Sequence, residues 1–125
     1  MAAFLLVGIG GAIGSMARYS VSLAVNRWSG SQPLATAIVN IVGCALIGLM
    51  AGLVAAGAWR ISTQTRAFAF AGVMGGFTTF SAFGLDTLTL VQGGRVGAAV
   101  GNVAIQLVVG LGAAFAGYAA AVSLK

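Results

Sequence analysis

Gly75-Gly76-Phe77-Thr78-Thr79-Phe80-Ser81-Ala82-Phe83 lies inside an apolar run long enough to cross a bilayer, yet it makes a poor continuous helix. Two adjacent glycines cost about 1 kcal/mol each relative to alanine in a helix interior, and β-branched Thr78 and Thr79 give up further side-chain freedom there. The stretch therefore predicts a third helix broken near its middle. Backbone that leaves its helical hydrogen bonds within a membrane is tolerated only where protein buries it or where it lines a wet cavity. A break at this depth thus points to a binding site or a pathway. If helix resumes after the break, Phe80 and Phe83, three apart, share a face, while Phe77 belongs to the half before it.

The residues around this stretch place it in a membrane. Of 125 residues, 60% are hydrophobic and only 6% charged, and the mean hydropathy is +1.08, values that a water-soluble domain of this size does not carry on its surface. Twenty glycines against a single proline suit helices packed closely through small residues. The net charge of +5 comes from six scattered basic residues and one acid, with no basic run, so nucleic acid is not an expected partner. There is no histidine, one cysteine (Cys44) and one acidic side chain (Asp86). That inventory excludes an intramolecular disulfide and a Cys/His metal cluster, and leaves acid-base catalysis almost no residues. An enzyme is not expected.

The expected architecture is all-α: a single four-helix transmembrane subunit with spans at about residues 3–25, 34–57, 65–91 and 95–122, each long enough at about 1.5 Å per residue for a hydrocarbon core of about 30 Å. Residues 2–17 have the apolar character of a signal-peptide core, but no Lys or Arg precedes them, so they are read as part of a spanning helix. Gly10 and Gly14 in the first span, Gly48 and Gly52 in the second, and Gly93, Gly97 and Gly101 around the fourth have the spacing of close-packing faces. Residues 26–32 read as a polar turn, with Pro33 in the first turn of the second helix. Trp59 and Tyr118 read as interface anchors.

Polar side chains inside the apolar spans are the candidate functional groups. Arg18 either snorkels to the interface or faces a water-filled vestibule. Thr36 and Asn40, four apart, share a face; the Asn40 amide needs a partner in hydrocarbon, either another helix or an anion. Asn102 and Gln106 set two amides one turn apart on the fourth helix, as a polar track or as helix-helix hydrogen bonds. Asp86 reads as a proton carrier, a cap, an arginine's partner or a vestibule group.

Charge does not orient the chain. Arg60, Arg66 and Lys125 fall on one side, Arg27 and Arg95 on the other, so the count is three against two, or three against three with Arg18. Near balance leaves little preference for one orientation, as in a dual-topology protein that forms an antiparallel homodimer with its two-fold axis in the membrane plane. A dimer also supplies enough helices to place hydrophilic paths between subunits.

The stretch at 75–83, Thr36-Ala37-Ile38-Val39-Asn40, the glycine-rich first helix with Arg18 and the four-span pattern resemble the CrcB/Fluc family of fluoride ion channels over nearly the whole chain. The resemblance implies a dual-topology antiparallel homodimer in the inner (plasma) membrane of a bacterium. It further implies two parallel fluoride pathways, a structural sodium ion at the dimer axis, and passive efflux that protects the cytoplasm from fluoride. It casts Phe80 and Phe83 as pore-lining rings, Asn40 as the pore amide and Ser81 as the hydroxyl between the rings. Thr36, Asn102 and Gln106 would extend the polar track, Arg18 would serve a vestibule, and backbone carbonyls of Gly75 and Thr78 from both subunits would hold the sodium. Ala82, where many members have a hydroxyl, and Asp86, where glutamate is common, depart from the family pattern. The expected partners are thus fluoride, sodium, the lipid bilayer and a second copy of the chain.

The chemistry of the ion agrees with those residue types. Fluoride is small and strongly hydrated, so it enters a low-dielectric site only if donors replace its water. An amide and a hydroxyl donate, and the positive edge of an aromatic ring solvates an anion without trapping it, as conduction requires. The main rival is a small proton-coupled multidrug transporter, which also has four short helices and balanced charge but resembles a mechanism built on an acid in the first helix, absent here. A non-conducting assembly subunit, whose amides only join helices, is the third reading.

Overall fold

Residues 1–124 are described by a computed structural model that is helical throughout apart from short connections. Lys125, counted in the charge balance, lies outside the described residues. Four stretches are long and apolar enough to cross a membrane: Ala2–Ser29, Gln32–Ala55, Thr63–Gln92 and Val96–Val122.

Helix α1 (Ala2–Ser29) ends at Gly30, whose left-handed backbone (φ 62°) lets its N–H return to the Asn26 carbonyl at 2.9 Å. Helix α2 (Gln32–Ala55) starts one residue later, with the Ser31 hydroxyl accepting from Leu34 N–H and Pro33 in the first turn. The polar turn expected over residues 26–32 is therefore only Gly30 and Ser31. Asn26 and Gln32 are helical instead, and the Asn26 amide donates to Gln32 Oε1 across the corner at 2.7 Å. Their polarity fastens two helix ends rather than solvating a loop.

The third stretch is composite. Helix α3 (Thr63–Arg66) is capped by Ser62 and passes into π-helical turns over Ala67–Met74, then into the short α4 (Gly75–Phe77). Thr78 (φ −82°, ψ 155°) and Thr79 (φ −152°, ψ 115°) are extended. Helix α5 (Phe80–Gln92) begins immediately after, with Thr79 Oγ1 accepting from Ala82 N–H at 3.2 Å. Gly94, at φ 72°, turns the chain into α6 (Val96–Val122). The widened π turns were not among the expectations; they lie where this segment meets α1 closely, a Cβ on Gly10 falling 2.6 Å from the Phe68 carbonyl oxygen.

Small residues set the packing. Helices α2 and α6 form the most extensive pair, with Gly48 against the Ala114 backbone and Gly52 against Tyr118. Helix α1 lies on the third stretch through Gly10 and Gly14, the latter against Val73 and Phe77. Between them sits a small core of Val39, Met74 and Phe77, flanked by Val21 and Met50. Gly97 and Gly101, by contrast, meet nothing within 4 Å in this chain. Much of the remaining surface is apolar, with Phe4, Phe80, Val108 and Phe115 all strongly exposed.

Candidate functional site

Asn40 reaches from the middle of α2 to the extended pair and occupies both polar groups of one residue. Its Oδ1 accepts from Thr79 N–H at 2.8 Å, and its Nδ2 donates to the Thr79 carbonyl at 3.0 Å. The second Nδ2 hydrogen goes to Gln106 Oε1 on α6 at 2.7 Å. Gln106 Nε2 donates to Asn102 Oδ1 at 2.9 Å, Asn102 Nδ2 to Thr87 Oγ1 at 2.9 Å, and Thr87 Oγ1 to the Phe83 carbonyl at 2.8 Å. A continuous ladder of hydrogen bonds thus joins α2, α6 and α5. Buried backbone groups that leave a helix must find partners, and a side-chain amide, with donor and acceptor on one plane, satisfies an N–H and a C=O together.

Two recesses flank Thr79. One of about 370 Å³ is lined by Asn40, Cys44, Phe80, Phe83, Gln106 and Thr79 among others. The rings of Phe80 and Phe83 lie there with centroids 5.4 Å apart and planes inclined at 49°, in the range of attractive aromatic pairs. Phe80 is 80% exposed in the single chain. The other recess, about 470 Å³, is lined by Ser15, Arg18, Asn26, Gln32, Thr36 and again Thr79. Arg18 therefore sits in a polar recess. Thr36, four residues before Asn40, falls in this recess and donates to the Gln32 carbonyl at 3.3 Å, apart from the phenylalanines.

Not every expected residue converges. Ser81 is exposed and makes its hydrogen bond to Thr79 Oγ1 at 3.2 Å, so it does not stand in the recess beside the two rings. Asp86 is 8% exposed, and its Oδ2 has no hydrogen-bond partner among the described residues. The readings missed two threonines that the site depends on. Thr79 caps α5 and borders both recesses, and Thr87 carries the ladder from α6 back to α5. The available signal was spacing: Thr79 stands three before Ala82, as a cap does, and Thr87 four after Phe83.

The extended pair also strands two carbonyls. In an unbroken helix Thr79 N–H would close on the Gly75 carbonyl and Ala82 N–H on that of Thr78. Instead the first donor goes to Asn40 and the second to Thr79 Oγ1. Gly75 itself is exposed.

Residues 5–118 match the family described as CrcB-like protein, Camphor Resistance (CrcB). The chain belongs to the CrcB-like family. The match takes in the ladder and both recesses of this CrcB-like chain. Among curated relatives, the "Fluoride-specific ion channel FluC" of Methylobacillus flagellatus is 50% identical over 109 residues, covering 86% of this chain and 84% of that protein. That of Rhodospirillum centenum is 42% identical over 120 residues (95% and 94% covered), and that of Opitutus terrae 42% over 127 (100% and 96%). The likeness thus covers most of the CrcB-like chain and most of each of these relatives.

Proposed function

We propose that the chain is the subunit of a fluoride-conducting channel of a bacterial inner membrane, allowing passive efflux from the cytoplasm. The observation that carries this reading is the recess in which the Asn40 amide and the rings of Phe80 and Phe83 meet beside the extended pair. The names of the relatives support the choice of ion. Asn40 has one hydrogen committed to the Thr79 carbonyl and one to Gln106. The second is the one an anion can take over. A turn of the Gln106 amide then presents its own Nε2, so two donors replace lost water while the bond to Thr79 stays closed. The two ring edges add weak, serial solvation. Arg18 and Thr36 serve the polar vestibule on the other side of Thr79, and Asn102 backs Gln106. Ser81 is assigned to the mouth, where its hydroxyl meets water.

The functional unit in this reading is an antiparallel, dual-topology homodimer, in which the extended pair interrupts the third span at membrane depth. Support comes from the exposure of Phe80, which a second copy would cover, and from the balanced basic residues. The carbonyls of Gly75 and Thr78, stripped of their helical donors, fit a hard cation that prefers oxygen ligands. These residues, from both subunits, would hold a structural sodium ion, whose charge would stabilise the dimer axis.

The test is fluoride efflux from liposomes loaded with the purified protein, with chloride alongside. Fluoride loss without a proton gradient is expected. Phe80→Ile and Asn40→Asp should each abolish flux while the protein stays helical and dimeric; undiminished flux in both overturns the pathway.

A further inference from the structure

The chain turns from α2 to α3 through residues 56–62, which lie at the ends of two spans and hence at headgroup level. Gly57, at φ 72°, reverses the backbone, and Trp59 N–H closes on the Leu53 carbonyl at 3.0 Å. The turn borders an open recess of about 420 Å³ lined by Val54, Trp59, Arg60, Ser62, Thr63 and Arg66. Arg66 Cζ lies 5.5 Å from the Phe70 ring centroid, which steadies that guanidinium against an aromatic face. The chain's only acidic side chain, Asp86, belongs to α5, the half of the third stretch that leads away from this surface, so neither arginine has a carboxylate side chain beside it. The backbone N–H groups of Arg60 and Ile61 also donate to no other group among the described residues.

We propose that this recess binds the phosphate of an anionic phospholipid headgroup. Two guanidinium forks and free backbone donors match phosphate oxygens, and arginine does this bidentately. Val54, Ile61 and the half-buried ring of Trp59 give the same recess apolar walls, which a glycerol backbone and the start of an acyl chain fill and a free phosphate ion does not. Basic recesses at this depth beside membrane helices are suited to lipid headgroups. Arg60 and Arg66, which have no part in the anion pathway, acquire a role by this assignment.

The experiment uses the full chain carrying Trp28→Phe, so that Trp59 is the only tryptophan, in phosphatidylcholine vesicles doped with brominated phosphatidylglycerol or brominated phosphatidylcholine. Brominated phosphatidylglycerol is expected to quench Trp59 at a several-fold lower mole fraction. Arg60→Gln with Arg66→Gln should erase that preference, whereas Arg27→Gln with Arg95→Gln, which removes equal charge elsewhere, should keep it. Each single glutamine variant should weaken it, a safeguard if the double variant fails to fold. Equal quenching by the two lipids, or a preference that survives loss of Arg60 and Arg66, overturns the proposal. So does equal loss in the Arg27/Arg95 variant, which marks a general charge effect. Displacement by millimolar inorganic phosphate assigns the recess to the free ion and overturns the lipid assignment.

Discussion

Asn40 is a structural residue before it is anything else. Replacing it with alanine strands the Thr79 N–H and leaves Gln106 Oε1 without its donor, whereas the Thr79 carbonyl, at the N-cap of α5, keeps its place in that helix; orphaned buried groups cost about 1–3 kcal/mol each. Asn40→Ala should therefore lower stability by about 2–6 kcal/mol, read from thermal unfolding in detergent. Asn40→Asp keeps the acceptor for Thr79 N–H but has no hydrogens to give an anion, so it should lose less stability than alanine and still lose flux. A matched loss of both properties in the two variants would make the residue a cap alone. Gly43 carries a second constraint, because a Cβ there would run into the Thr78 side chain. Gly43→Ala should cost about 1–3 kcal/mol as overpacking, and Thr78→Ser in the same chain, which removes the offending methyl, should recover most of it. That an asparagine in hydrocarbon needs partners was legible from residue type. Which partners it takes was not, since helical phase tells which residues share a face and says nothing of which backbone groups a neighbouring helix has set free. The surroundings of Ser81 were hidden for the same reason: its position in the motif was plain, but not that its hydroxyl lies 3.2 Å from Thr79 Oγ1 on an exposed part of the single chain.

Among the elements, the glycine spacings divide into those with a neighbour and those without. A Cβ on Gly14 would lie 2.8 Å from Phe77 N, backbone that cannot swing aside, whereas Gly97 faces open space. Gly14→Ala should destabilise the fold by more than about 1 kcal/mol, and Gly97→Ala should stay within about 0.5 kcal/mol of the parent. Equal melting temperatures for the two would refute the packing of α1 on the third stretch. Sequence spacing identified both sets alike, because a small-residue repeat advertises an accessible backbone without naming what approaches it. The corner at residues 26–32 was misread by composition: Asn26 and Gln32 are polar enough for a loop, but their mutual hydrogen bond lets both helices run on. The π-helical turns over Ala67–Met74 left no trace in composition, and the close contact with α1 that accompanies them is equally invisible there.

Taken whole, the chain buries little for its hydrophobicity and leaves large side chains such as Phe80 and Phe115 on its surface. Hydropathy alone made four spans legible, since apolar runs of this length have few alternatives. In mild detergent the particle is expected to have twice the chain mass, and replacing sodium with a large organic cation should lower both dimer stability and fluoride flux. A monomeric particle that still conducts would dismiss the antiparallel assembly.

Thr79 borders the chamber holding Arg18 as well as the one holding the phenylalanines. One residue forms part of the wall of each, so bulk added at position 79 would register in both together. Position 79 is thus the one place where a single substitution reshapes the walls of both.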